Sequence, residues 1–383
     1  MPTPPPLSKI QAIGLRNGLD SVGVARAEIF QSTLEDLQSR KSKGLHAGMA
    51  FTYKNPERST NPKKTMEDGE SLIVGARSYW KPQKKNDSLT QPMGRVALYA
   101  QQDHYMKLRE GLETIATELS RSGFKARVLV DDNALVDREA AYRAGIGWYG
   151  KNTNLLIPKR GSWFVLGSVL TNAQYQINEP ASDGCGTCTK CISSCPTNAI
   201  PSAGVLDANR CLAWLLQQEG DFPIEFRTLL EDRIYGCDDC QESCPANKFE
   251  ERLQNESKQS LGGATVPIHE ILENDDEYLL SEFGQWYIPK RDPRYLRRNA
   301  LIVLGNSQLP PSPKTIKTIK RWLSDSDEML RGHAVWAAKR LGLEKLLRKL
   351  ENDPSLSVQR ELSYKVKRNF DQKNCKNELI GGG

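Results

Sequence analysis

The chain has 383 residues, 38% of them hydrophobic, and 53 Lys and Arg against 47 Asp and Glu give a net charge of +6. That length is too great for one ordinary core and fits two or three folded domains. No apolar run reaches the length of a membrane span, and the opening MPTPPPLSK lacks the apolar centre of a signal peptide, so a cytoplasmic setting without membrane contact is expected.

Residues 1–180 read as a mixed α/β domain. Helices are expected over 7–17 and 105–120, and strands over 71–75, 126–130 and 163–170. Asp131 follows the apolar run 126–130 and so stands at a strand end, a common place for catalytic groups in α/β folds, although a strand-end Asp is more often a turn or cap residue. Gly145, Gly147 and Gly150 in AGIGWYGKN match the spacing of a dinucleotide fingerprint. They follow an expected helix, DREAAYRA, instead of a strand, and no acidic residue lies about 20 positions on. They are better read as glycines of a tight turn, or of close backbone approach to a flat ligand.

Residues 181–250 hold eight of the nine cysteines, as Cys185-x2-Cys188-x2-Cys191-x3-Cys195-Pro196, Cys211, and Cys237-x2-Cys240-x3-Cys244-Pro245. A [4Fe–4S] cube needs four thiolates, and in a run of this kind three cysteines serve one cube while the fourth, followed by proline, serves its neighbour. The second run lacks its first cysteine, since Ile234 stands there, and Cys211 is the replacement. One cube then takes Cys185, Cys188, Cys191 and Cys244; the other takes Cys195, Cys211, Cys237 and Cys240. Zinc is usually served by two separated pairs of ligands instead of such a dense run, and disulfides do not suit the expected compartment. A helix is expected over 209–218, with Cys211 near its start. Cys375 is a bystander.

Residues 251–285 are a linker and docking segment, and residues 286–370 turn helical before a polar tail at 371–383. YLRRNALIVLG at 295–305 and MLRGHAVWAAKRLG at 329–342 align at an offset of 34, pairing Leu296 with Leu330, Arg297 with Arg331 and Ala300 with Ala334. This is the signature of a short HEAT-type repeat. Residues 290–383 carry 21 Lys or Arg against 10 Asp or Glu, so the basic charge sits at this end and suggests a polyanionic partner, nucleic acid first among them. Solvated helix faces are the plain alternative.

From about Arg58 to about Gly342 the chain resembles the epoxyqueuosine reductase family. The residues that carry the likeness are VDD…DREAAYRAGIGWYGKN, GCGTCTKCISSCPTNAI, RCLAWL, RIYGCDDCQESCP and RRNALIVLG. The resemblance implies an α+β chain: an α/β cobalamin-binding domain similar to that of reductive dehalogenases, a ferredoxin-like module with two [4Fe–4S] clusters, and C-terminal HEAT-like helices that help bind tRNA. It implies cobalamin and the two clusters as cofactors, and a tRNA carrying epoxyqueuosine as substrate. The epoxide oxygen at the wobble position is removed with two electrons and two protons to give queuosine and water. A low-potential electron donor is required, and a monomer is expected.

By the same resemblance Asp131 is the proton donor and also lies near the corrin. Arg58, Asn152, Leu155, Leu166, Ala213 and the loop Cys237, Asp238, Asp239 and Cys240 match positions expected around that ring. No histidine stands out as a lower axial cobalt ligand. Phosphate contacts are expected from Lys290, Arg291, Arg294, Arg297 and Arg298, with Arg331 at the matching repeat position, and the modified base is expected to turn outward into the active-site pocket. Two departures from the family stand out. Asp103-His104-Tyr105 replaces Asp-Tyr-His, and Asp132-Asn133 replaces the small residues that usually follow the aspartate. A cobalamin-dependent reductase of a small molecule such as an organohalide, or a non-catalytic electron carrier, are the competing readings.

Overall fold

The structure, a computed structural model, describes residues 2–81, 90–248 and 264–369. Most of the polar linker expected around 251–265, and the tail with Cys375, lie outside the described residues. Among those described, no helix is long and apolar enough to cross a membrane. The chain forms two compact units. One gathers the described parts of 1–82, 101–211 and 238–261, the other those of 83–100, 212–237 and 262–383.

The strands in chain order are β1 (Ser21–Arg26), β2 (Ser71–Ser78), β3 (Met93–Val96), β4 (Ala126–Val130), β5 (Trp148–Tyr149), β6 (Leu155–Leu156), β7 (Phe164–Thr171), β8 (Arg233–Tyr235) and β9 (Thr265–Pro267). The first unit is built on the antiparallel sheet β1-β2-β7-β4. The helix His104–Arg121 starts where the Asp103 carboxylate accepts from the Met106 N–H at 2.9 Å. Its Leu108, Leu112, Ile115 and Leu119 recur at helical spacing and are fully buried, packing on β2, β4 and β7. Gly75 and Gly167 pair across β2 and β7, and a Cβ on either would come within 3.0 Å of a Leu112 methyl. The paired glycines therefore make the hollow that seats Leu112. The helix Asp137–Arg143 packs on β1, β2 and β7, so the sheet lies in a mixed α+β layer arrangement.

The second unit is mainly helical. The helices Arg294–Asn306 and Glu328–Arg340 pack together and realise the repeat at offset 34: Leu296, Leu330, Ala300 and Ala334 are all buried. The helices Ile268–Glu273, Asp276–Phe283, Pro313–Trp322 and Leu356–Ser363 and the small sheet β8-β3-β9 complete it.

Within the expected module at 181–250, Leu212, Leu215, Leu216, Phe222, Phe226, Leu230 and Ile234 are buried in the same apolar core as Leu301, Ala334 and Trp336 of the repeat. Burying such side chains contributes roughly 1.5–3 kcal/mol each, enough to hold 212–237 in the helical unit. The helix expected over 209–218 shrinks to Leu212–Leu215, with Cys211 just before it.

Candidate redox site

Cys185, Cys188, Cys191 and Cys244 all fall in the first unit. The short helices Lys190–Ser193 and Asp239–Glu242 pack against each other, which brings the second cysteine run onto the first. Burial, then the nearby Cys244, Cys185 and Cys188, push the Cys191 thiol above its usual range. Cys244 is also pushed up, by burial first; backbone N–H groups of Ala246 and Asn247 directed at its sulfur counter this, and Cys185 and Cys188 add to it. Cys191 and Cys244 thus each have Cys185 and Cys188 among their charged neighbours. A thiolate bound to iron has lost its proton, so the same crowding that disfavours four free thiolates is relieved when the metal's positive charge is present. Among the described residues no three His, Cys, Asp or Glu side chains are grouped as ligands of one metal ion; a cube spreads its four thiolates over four irons.

Of the second expected set, Cys195, Cys211 and Cys240 belong to the first unit and Cys237 to the second. The Cys195 sulfur accepts from the Ala199 N–H at 3.2 Å, and the Arg210 guanidinium donates to the Thr197 carbonyl at 2.8 Å, tying the Cys211 approach to the Cys195 turn. Fully buried Asn247 braces the other loop. Its Oδ1 accepts from the Ser162 N–H at 2.6 Å and its Nδ2 donates to the Gln241 carbonyl at 2.7 Å. Asn247 carried no motif signal beyond its position three residues after Cys244.

Asp131 stands directly after β4. Val130 pairs with Gly167, so the chain leaves the sheet beside Leu166, and Asp131 does so in the left-handed region at φ 51°. Such backbone is uncommon outside glycine and collects at functional sites. The Asp131 side chain keeps water contact, yet crowding by protein atoms, then the charge of Asp132 and the weaker influence of Asp103, push its carboxyl above the usual range against the pull of Arg109. Arg109 donates to the Val130 carbonyl at 3.0 Å. Half-buried Asp137 is pushed much further, by burial first and then by the charge of Asp131. The three carboxyls of 131, 132 and 137 thus share one neighbourhood, and Asp137 escaped the sequence reading because it looks like an ordinary first-turn helix residue.

The loop at 131–136 is tied to the segment around Arg58. The Asn133 Oδ1 accepts from the Thr52 N–H at 2.9 Å, the Ser59 hydroxyl donates to the Asn133 carbonyl at 2.7 Å, and the Val136 N–H donates to the Ser59 carbonyl at 3.0 Å. Arg58 itself is exposed. Asn152 is buried and engaged at both ends: Nδ2 donates to the Cys240 carbonyl at 3.1 Å and Oδ1 accepts from the Asn154 N–H at 3.2 Å. Leu155 is buried in the core of the first unit, and Leu166 packs against that core while part-exposed. Asp238 is buried and Asp239 half-buried. Ala213 belongs to the second unit. The glycines serve their own chain: a Cβ at Gly145, which has φ 67°, would meet the Glu179 carbonyl at 2.5 Å, and one at Gly147 the Leu156 carbonyl at 2.2 Å. Both positions need glycine for close approach of their own chain.

His104 is buried, and burial first, then Lys81 and Arg77, pull it down to about 4, so it is neutral near pH 7. Its ring lies 5.7 Å from that of Tyr79, whose hydroxyl donates to the Gln241 Oε1 at 3.1 Å.

The basic residues need correction. Arg298 is fully buried, and its guanidinium donates to the carbonyls of Leu215, Leu216, Gln218 and Gly220. Arg297 is 8% exposed and held by Asp276 and the Asn274 carbonyl. Arg331 makes a bidentate pair with Asp353, 3.0 Å at each contact, and reaches the carbonyls of Asp325 and Ser326. These three are structural cations with their donors directed inward. Lys290 and Arg291 are exposed, and half-exposed Arg294 pairs with Asp292 and Asp327.

Residues 184–247 match the 4Fe-4S double cluster binding domain, and residues 285–363 match HEAT repeats. Over 342 residues the chain is 34% identical to an epoxyqueuosine reductase of Vibrio cholerae, covering 86% of this chain and 90% of that protein. The epoxyqueuosine reductase of Streptococcus thermophilus superimposes with a TM-score of 0.81 at 26% identity, over 93% of this chain and 97% of that one. A crystal structure of an epoxyqueuosine reductase with an epoxyqueuosine-modified tRNA-Tyr stem loop gives 0.80 at the same identity, over 93% and 96%. With the cysteine framework and the helical repeat both in place, this similarity along nearly the whole chain makes it a member of the epoxyqueuosine reductase family of oxidoreductases.

Proposed function

We propose that this chain reduces epoxyqueuosine in tRNA to queuosine, with Asp131 as the proton donor. Opening the epoxide to an alkene breaks two C–O bonds, forms one C=C bond and releases the oxygen as water, at a cost of two electrons and two protons. A relative bound to a modified tRNA stem loop supports the choice of substrate. The observation that carries the reading is the Asp131 carboxyl itself: it follows the strand in left-handed backbone, keeps water contact, and its neighbours hold it above the usual carboxylate range. An acid must still carry its proton near the working pH to give it up, and the charge of Asp132 works in that direction.

The [4Fe–4S] cubes would be held by the two cysteine sets, and cobalamin is the further cofactor proposed. Together these groups supply single electrons and a strongly reducing centre. Exposed Arg58 and part-exposed Leu166 border the Asp131 loop and suit contact with a large ring. Enclosed Leu155 and Asn152 suit the support of such a surface, with Asn152 fixing the backbone at Cys240. For tRNA, Lys290, Arg291 and Arg294 remain as phosphate contacts.

The test replaces Asp131 with Asn in anaerobically reconstituted protein. Unchanged cluster absorbance and an unchanged cobalt EPR signal of added cob(II)alamin, together with loss of turnover on epoxyqueuosine-containing tRNA, are expected. Normal turnover would end the assignment of Asp131. A cobalt signal identical to that of the free cofactor, already in the parent protein, would end the cobalamin assignment.

A further inference from the structure

With Arg297, Arg298 and Arg331 committed inside the second unit, the basic end of the chain needs another account. The helix Pro313–Trp322 provides one. Its buried side is Thr315, Thr318, Ile319 and Trp322, and its exposed side carries Lys314, Lys317, Lys320 and Arg321. These positions are three, three and one residues apart, so they lie along one face. Lys314 to Lys320 spans about 9 Å at the rise of an α-helix. The helix contains no acidic residue.

Its ends are partly engaged. Lys314 pairs with Glu273 at 3.1 Å, and Arg321 lies over the Trp322 ring while reaching the Leu272 and Glu273 carbonyls at 3.5 and 3.4 Å. Lys317 and Lys320, between them, have no ion-pair partner among the described residues. This arrangement works against the helix. Like charges three residues apart repel, and Lys314 in the first turn opposes the positive end of the helix dipole. A chain selected for stability alone would intersperse acids, as the helix His104–Arg121 does with Glu110, Glu113 and Glu118.

We infer that the Lys314, Lys317, Lys320 and Arg321 ridge is a contact surface for the phosphate backbone of the tRNA. The inference rests on the tRNA reading above and names the surface that serves it. Lysines are depleted from protein–protein interfaces, whose centres are apolar, and no exposed large apolar side chain lies on this helix. A line of lysines without an apolar centre suits a row of phosphates, which it neutralises with release of counterions.

The experiment measures binding of full-length tRNA to the reconstituted full chain against salt concentration. A Lys317→Ala/Lys320→Ala variant is compared with the parent and with Lys345→Ala/Lys349→Ala, which removes the same charge elsewhere. The ridge variant should bind about tenfold more weakly near 0.1 M salt, and the slope of log K against log salt should shrink by about 1.5. The control pair should bind within about twofold of the parent, with circular dichroism unchanged in both. Equal affinity and equal slope for the ridge variant would overturn the inference and leave an acidic protein as the ridge's partner. Equal weakening by the control pair would overturn it as well, by reducing the effect to net charge. A parent protein that fails to bind tRNA would instead sink the reading on which the inference stands.

Discussion

The Asn133 side-chain oxygen accepts the Thr52 N–H at 2.9 Å, and this bond joins two segments that each hold a non-glycine residue in left-handed backbone, Thr52 at φ 59° and Asp131 at φ 51°. Left-handed backbone persists only where surrounding contacts over-determine it. Removing the Asn133 acceptor should therefore loosen the loop that presents Asp131. A net hydrogen bond contributes about 1 kcal/mol, or roughly a fivefold change in population at 25 °C. Asn133→Ala should lower kcat by up to about fivefold with little change in KM for tRNA, and amide exchange at Thr52 should speed up. Unchanged exchange at Thr52 would show that the tether is not what holds the loop.

The pH dependence of turnover should follow the charge on Asp132. That carboxylate disfavours the ionised form of Asp131 and so raises its pKa. Neutralising it by Asp132→Asn makes the Asp131 proton easier to lose, so the alkaline limb of the kcat profile should move to lower pH. Arg109→Gln removes a positive neighbour and should move the same limb the other way. Shifts of the same sign in both variants would contradict this assignment of the acid.

Cys244 belongs with the first cysteine run in space, although 53 residues separate it from Cys191 in sequence. Cys244→Ser should therefore damage the cube served by Cys185, Cys188 and Cys191. Iron and sulfide analysis should fall toward one cube per chain, and EPR should retain the signal of the set that includes Cys195 and Cys211. Loss of that second signal with survival of the first would reverse the crossed assignment.

Arg298 is a matter of stability. Burial pulls its guanidinium down to about 9, still charged at pH 7, and four backbone carbonyls depend on it. Each buried acceptor left without a partner costs about 1–3 kcal/mol. Arg298→Ala should therefore destabilise the chain by at least about 3 kcal/mol in a denaturation experiment, whether or not tRNA is present.

The strand 126–130, the helix around 105–120 and the repeat at offset 34 were legible because alternation and helical spacing survive in a single sequence. The double cluster binding domain was legible because ligand count and spacing constrain one another. The arginines were harder. In YLRRNALIVLG, apolar residues fall on every side of the helix, which marks it as enclosed all round, so the arginines within it had to find partners inside. KTIKTIKRW shows the opposite pattern, a clean amphipathic split, but has no motif to draw attention to it. Asp137 and Asn133 were illegible for another reason: their roles depend on which loops meet, and periodicity does not report that.

The path of the chain between units bears on biogenesis. It leaves the first unit after Cys211, enters the second through Leu212 and returns after Cys237, and the intervening stretch finds its apolar neighbours among residues 264–369. A nascent chain that has just exposed Cys244 has not yet synthesised that core. Packing of residues 212–237 must therefore wait for synthesis of the C-terminal helices, and a ribosome stalled before them would release a protein in which Leu212, Phe222 and Ile234 have no core to join.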